Sequence, residues 1–196
     1  MVKTSRVVWW VAMACLAGNA HAQSKAQQSA RTSVPAQASV QFEQGSTLRA
    51  LEDWHVLPPR QRVEPENRLL RERLEQLLPR LMAETDLDMW LVLNREYAED
   101  PAYFTLVPQP TFAARRTTML VFHRKADGTV ERLAVNRYPL GGPYESAWAG
   151  GDLEAQWKAL GQLIADKNPR RIGINVSRHW PVADGLTHAL HTRLLE

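Results

Sequence analysis

The sequence predicts an α/β fold: a mixed β-sheet flanked by helices. Three observations carry this. Short apolar runs at Met89–Leu93, Thr117–His123 and Arg171–Val176 have strand length and strand composition. Segments with three/four apolar spacing lie before, between and after them. The order helix, strand, hairpin, helix, strand, helix calls for a sheet containing both parallel and antiparallel neighbours, with helices packed on its faces.

The elements follow in chain order. Glu64-Pro65-Glu66 predicts a helix start, since proline suits the first turn and acidic groups suit that end of the dipole. Leu70, Leu74, Leu77, Leu78, Leu81 and Met82 mark its buried face, and Pro79 predicts a kink near Gln76 or a split into two helices. Met89–Leu93 (MWLVL) reads as a strand covered on both faces. Asp127-Gly128 between Thr117–His123 and Thr129–Val135 predicts a hairpin. Asn136–Gly151 is rich in Gly and Pro and predicts a loop. Asp152 caps a helix whose face is Leu153, Trp157, Leu160 and Ile164, and Asn168-Pro169 ends it. Arg171–Val176 is the next strand, and Pro181 starts the last helix. Leu186, Leu190 and Leu194 continue an apolar stripe to the last residues without a stop signal. This gives the expectation that the chain is the front part of a longer protein.

The first 22 residues have the pattern of a secretory signal. Lys3 and Arg6 precede the apolar run Val7–Gly18, and Ala20-His21-Ala22 places the cleavage between Ala22 and Gln23. The run falls short of the roughly 20 residues that span a bilayer. The expected location is secreted or periplasmic, with no membrane association after signal removal. Lipidation at Cys15 is the rival reading, against which Ala12-Met13-Ala14 is a poor lipobox. Removing Lys3 and Arg6 leaves 22 basic against 21 acidic residues, a formal net of +1, so charge gives no reason to expect nucleic acid as a partner. The single cysteine leaves too, excluding a thiol nucleophile. Residues 23–52, rich in Gln, Ser and Ala, read as a flexible linker, and 53–196 as one α/β domain.

Catalytic patterns are weak. His188 and His191 lie three apart on a helix, but two histidines do not complete a zinc shell. Asp86 and Asp88 lack the glycine and glutamate of a calcium loop and read as a helix-to-strand turn. Ser146 and Ser177 lack a nucleophile elbow, and His179 is too near Ser177 in sequence to complete a triad. Glu96, Glu99 and Asp100 read as solvated loop carboxylates. Gly141-Gly142-Pro143 and Gly150-Gly151 match no phosphate loop. Arg115-Arg116 and Arg170-Arg171 precede strands and read as edge or solvent-facing pairs, and Asn175-Val176-Ser177 is a glycosylation sequon of low specificity. No catalytic, cofactor-binding or metal-binding residue is assigned. The one segment of functional interest is Arg137–Trp148, whose Tyr138, Tyr144 and Trp148 read either as an interface or entrance loop or as pins to the core.

Leu87-Asp88-Met89-Trp90-Leu91-Val92 after an amphipathic helix resembles the "gly-leu-asp-ala-leu-leu-val" segment of creatinase/prolidase N-terminal domains. Tyr103-Phe104-Thr105 is similar to the "tyr-leu-thr" that follows it, Arg116–Phe122 to the next strand, and Arg171-Ile172-Gly173-Ile174-Asn175 to a later "ile-gly-ile-glu" strand. The resemblance covers about Glu64–Glu196. It implies a ribonuclease H-like N-terminal domain that precedes a pita-bread metallopeptidase domain, as in Xaa-Pro aminopeptidases and prolidases. It further implies a divalent metal pair (Mn, Co or Zn) held entirely by that second domain, and a role here in shaping the active-site entrance and supporting a homo-oligomer. Leu106-Val107-Pro108 departs from the family's Gly-Phe, and no substrate-contact residue is carried over. The alternatives are a free-standing secreted binding module derived from such a domain, using the Tyr138–Trp148 loop, and an unrelated α/β enzyme.

Overall fold

The computed structural model describes residues 56–196. The expected signal, its Ala22–Gln23 junction, Cys15, the linker 23–52 and residues 53–55 lie outside the described residues. Packing divides the chain at Arg60–Gln61. Of the smaller unit the described residues, Val56–Arg60, are all exposed. Gln61–Glu196 holds the sheet and its helical layers. No helix among the described residues is long and apolar enough to cross a membrane.

The sheet is mixed and five-stranded, which establishes the α/β class. β1 (Met89–Arg95) runs antiparallel to β2 (Thr117–Arg124) and parallel to β5 (Ile172–Ile174); β3 (Val130–Asn136) pairs antiparallel with β2 and parallel with β4 (Glu145–Ser146). The order is β4-β3-β2-β1-β5. β1 is as apolar as expected because both of its faces are covered. Val92, Leu120, Phe122 and Ala134 point to one side, and Leu91, Leu93, Met119, Val121, Leu133 and Val135 to the other.

The first side is covered by α1 (Pro59–Glu72), a π-turn at Arg73–Leu77 and α2 (Leu78–Glu84). α1 begins five residues earlier than the acidic start signal suggested and carries Pro65 in its interior. The turn it weakens is exposed around Gln61, where water can take the freed carbonyl. The expected break around Gln76 is the π-turn. The Leu78 N–H reaches back five residues to the Arg73 carbonyl, and this widening lies directly before Pro79, which has no N–H to donate. Leu70, Leu74, Leu78 and Met82 are buried, whereas Leu77 and Leu81 are half-buried at the flank of the stripe.

The hairpin forms as expected. Gly128 sits at φ +83°, its N–H donating to the Lys125 carbonyl, and the Asp127 carboxylate takes the Thr129 N–H and hydroxyl. The Asn136–Gly151 connection is not wholly loop, because Glu145–Ser146 adds an edge strand to β3. α3 (Tyr103–Leu106) is a single turn after β1. α4 (Leu153–Lys167) starts at Asp152, whose carboxylate accepts the Ala155 N–H at 2.8 Å, and stops at Asn168 in the left-handed region. Its buried stripe differs from expectation: Leu153 is exposed, and Gln156 is buried in its place. The Gln156 amide spans the sheet edge, donating to the Thr117 and Val135 carbonyls at 2.9 Å each.

β5 is shorter than expected, and Pro181 opens only a 3₁₀ turn, Pro181–Ala183. An irregular segment then leads to α5 (His188–Leu195). It is tied down by Asn175, whose carbonyl takes the Leu186 N–H, and by Asp184, whose carboxylate takes the Ser177 N–H. Leu186 and Leu190 are buried and Leu194 packs beside them, so the terminal stripe closes the second side of the sheet together with Trp157 and Leu160.

Candidate functional site

The two ends of the sheet have different chemistry. At the amino end of β1, Asp86 and Asp88 face Arg124, Arg170 and Arg171. Asp88 takes the Arg170 and Arg171 N–H groups at 2.9 and 3.2 Å and the Arg170 Nε at 3.2 Å, and Arg171 reaches Asp86 at 2.9 Å. Partial burial alone would raise the Asp88 carboxyl, but the hydrogen bonds and charge of Arg170 together with the Arg171 N–H bring it below the ordinary value. Every guanidinium there is paired with a carboxylate. The cluster ties α2, β1, β2 and β5 together, as the helix-to-strand reading of Asp86 and Asp88 implied.

The carboxyl end is an open groove of about 1230 Å³. In open α/β sheets this is the end where ligands are held. Its wall is built by Arg95 at the end of β1, Glu96 and Tyr97 just after it, Arg116 and Thr117 at the start of β2, and Arg137 and Tyr138 after β3. Trp148, the first turns of α4 and one side of α5 along its length complete it. The β1/β2 register sets Arg95 opposite Thr117, and Thr118 pairs with Asn136. Antiparallel pairing therefore brings residues 95, 116 and 137 to one rim.

The groove's charges divide into committed and uncommitted groups. Glu96 accepts the Arg116 N–H at 3.0 Å, Asp152 caps α4, and Glu154 and Glu196 both hold Arg193. Among the described residues Arg95, Arg116 and Arg137 of the wall, and Arg115 beside it, form no ion pair, and all four are exposed. Two of them rest on aromatic faces instead: Arg115 over Tyr138 at 4.4 Å and Arg137 over Trp148 at 5.9 Å. Arg137 also donates to the Gly151 carbonyl at 2.7 Å. The rim is strained as well. Tyr97 (φ 67°), Arg115 (φ 40°) and Arg116 (φ 67°) occupy the left-handed region without being glycine. Such conformations cost on the order of 1 kcal/mol or more each, and they gather at functional sites.

The residues singled out in the sequence separate accordingly. Tyr138 and Trp148 line the groove. Tyr144 does not, and of its two readings it takes the pin to the core: it is buried on the α1/α2 side, edge-on to Phe122 at 6.1 Å, with its hydroxyl donating to the Leu106 carbonyl at 2.5 Å. His188 lines the groove from α5, while Ser146 is an exposed edge-strand residue. Ser177 is a turn residue, its hydroxyl accepting the His179 and Trp180 N–H groups at 3.2 and 3.0 Å, so it does not form a triad with His179. Among the described residues there is no group of three or more His, Cys, Asp or Glu placed to hold a metal ion.

The reading of Asp100 as a solvated carboxylate is overturned. Asp100 is fully buried, with one oxygen accepting the Ala102 N–H and the other the Asn175 amide, both at 2.8 Å. Asn175 in turn accepts the Trp90 indole N–H at 2.8 Å, and the Asp100 N–H donates to buried Asn94 at 3.0 Å. Burial raises the Asp100 carboxyl above its ordinary value, against the lowering effect of Ala102 and Asn175. Glu99 is likewise engaged, accepting the Ala114 N–H. Composition gave no sign of this network, because its members are up to 85 residues apart.

Comparison with protein-family models, with curated proteins and with solved structures finds no match.

Proposed function

We propose that this chain is the N-terminal, non-catalytic α/β domain of a secreted or periplasmic, metal-dependent Xaa-Pro aminopeptidase- or prolidase-like peptidase. In that role it shapes the active-site entrance and supports assembly into a homo-oligomer. The observation that carries the reading is the arrangement of the segments that resemble the creatinase/prolidase N-terminal domain. Leu87–Val92, Arg116–Phe122 and Arg171–Asn175 are separated by long stretches of sequence, yet they are three adjacent strands with β1 central, parallel to β5 and antiparallel to β2.

The Mn, Co or Zn pair and the peptide-bond chemistry belong in this reading to a following pita-bread domain. The test is to express the chain continuously with its downstream reading frame. An extension carrying two Asp, one His and two Glu ligands should hydrolyse an Xaa-Pro dipeptide with added Mn²⁺, while residues 1–196 alone should not. Turnover by the short chain, or a downstream frame without those ligands, would refute the proposal.

The alternative of a free-standing binding module is favoured by one observation, the uncommitted arginines and aromatic faces of the groove. It predicts a natural stop after Glu196 and a monodisperse product.

A further inference from the structure

We propose that the groove at the carboxyl end of the sheet binds an extended acidic segment of a protein partner. This rests on the groove alone and does not need a following catalytic domain.

The first argument is charge. Three guanidinium groups of the wall, Arg95, Arg116 and Arg137, come from three separate chain segments, with Arg115 beside them on the Tyr138 ring, and among the described residues none of the four pairs with a carboxylate. At the opposite end of the same sheet each arginine is matched by Asp86 or Asp88. The groove thus presents unpaired guanidinium edges on a lining that holds as many carboxylates as guanidinium groups, so it favours a partner whose acidic groups are spaced to meet the arginines.

The second argument is preparation. Arg115 lies on the Tyr138 face and Arg137 on the Trp148 face. Stacking fixes the guanidinium plane and leaves N–H edges available for carboxylate oxygens, so less side-chain freedom is lost on binding. The left-handed backbone at Tyr97, Arg115 and Arg116 holds this rim in a conformation that ordinary loop packing would relax.

Shape and residual charge select the occupant. The groove of about 1230 Å³ is open and exceeds the usual size of a small-molecule pocket, which suits a length of chain. Glu96, Asp152, Glu154 and Glu196 stand among the arginines. A nucleic-acid strand, with a negative charge at every phosphate, would be driven against these carboxylates. A peptide can set its acidic side chains opposite the arginines and leave neutral residues opposite the carboxylates, and its apolar atoms can lie on Tyr97 and Trp148.

The test titrates residues 1–196 into a fluorescein-labelled (Glu-Glu-Gly)₄ peptide and follows anisotropy. Saturable one-to-one binding is expected, weakening at least about tenfold between 50 and 300 mM NaCl as screening shortens. The Lys analogue of the peptide and a twelve-residue oligothymidylate should bind at least about tenfold more weakly. Arg95→Glu and Arg137→Glu should each weaken binding by about tenfold or more, while Arg170→Glu, in the paired cluster, should change it less than about twofold. Arg137 also holds the Gly151 carbonyl, so if that variant melts early the Arg95→Glu result decides, since the Arg95 side chain makes no hydrogen bond or ion pair among the described residues. The proposal is overturned by any one of three outcomes: no saturable binding of the acidic peptide, equal or tighter binding of the oligonucleotide, or unchanged affinity in Arg95→Glu.

Discussion

Gly185→Ala and Gly161→Ala are the same chemical change with opposite expected consequences. Gly185 lies where the segment before α5 crosses the loop after β1. A Cβ built there falls within 3 Å of the Asp100 carboxyl and 2.6 Å from Pro101 Cδ, whereas ordinary contact begins near 3.4 Å. Relief requires a shift of roughly 1 Å. Asp100 has little room to give, because its N–H is held by Asn94, one oxygen by Ala102 and the other by Asn175, and Asn175 is itself held by Trp90. Pro101 is backbone-fixed through its ring. Overpacking of this kind costs about 1–3 kcal/mol, and displacing a satisfied buried carboxylate adds about 1–3 kcal/mol. A total near 3 kcal/mol corresponds to a fall in Tm of about 10 °C for a domain of this size. Gly161 is exposed in the middle of α4 with nothing within 4 Å of its missing Cβ, so alanine there should add about 0.5–1 kcal/mol. Thermal and urea melts followed by circular dichroism compare the two. If Gly185→Ala melts within a degree or two of the parent chain, the close approach to Asp100 is wrong.

The remaining predictions address the other polar contacts. Gln156→Leu strips the Thr117 and Val135 carbonyls of their amide donor and should cost about 1–3 kcal/mol in urea melts, although it makes the helix face more apolar. Tyr144→Phe should cost about 1 kcal/mol by orphaning the Leu106 carbonyl, while Tyr138→Ala, at the exposed rim, should stay within about 0.5 kcal/mol; equal costs would contradict the division of that loop into core and groove. Asp88 has a folded-state pKa below its unfolded value, so its stabilisation is present above the ordinary carboxylate range and is lost as pH falls through the folded value. Glu131, where burial raises the carboxyl and Lys167 and His123 more than offset it, behaves the same way. Asp100 has the opposite sign: its raised pKa favours the folded state at low pH, an advantage lost as pH rises through the folded value. Asp88→Asn should therefore flatten the acid limb of a stability–pH profile, and an unchanged limb would show that Asp88 does not carry it.

The parts of the fold legible in the sequence are those fixed by local chemistry. MWLVL had to be a covered strand, because five consecutive apolar residues cannot face water on either side of a pleat. Asp127-Gly128 supplied a turn that only a positive φ permits, and Asp152 and Asn168 bracketed α4 with its cap and stop. What was not legible depends on partners distant in sequence. β4 is two exposed residues with no strand signature, and only pairing with Leu133 and Ala134 makes it a strand. Gln156 and Asp100 look like surface residues until Val135 and Asn175 are folded beside them. Pro181 signalled a helix start, but the Leu186 N–H donates to the Asn175 carbonyl and the Ser177 N–H to the Asp184 carboxylate, which hold the following segment out of a helix.

The groove was half visible. Tyr138 and Trp148 drew notice as aromatics among glycines and prolines, while Arg95 and Tyr97 did not, and Arg115-Arg116 read only as an edge pair. The strand register alone brings them to one rim. Tyr144 had the same local signature as Tyr138 and went to the opposite side of the sheet, because the edge strand at Glu145 turns its ring toward Phe122 and Leu106.

The central claim is that these residues supply a scaffold and a recognition surface, while the metal-dependent chemistry proposed for the protein resides in sequence beyond them. The most direct test is a Mn²⁺ titration of the ¹⁵N-labelled chain, read by paramagnetic broadening of its amide signals. The account predicts weak, non-saturating broadening scattered over exposed carboxylates. Saturable broadening centred on one point at stoichiometric Mn²⁺, together with Xaa-Pro cleavage by the same sample, would contradict it.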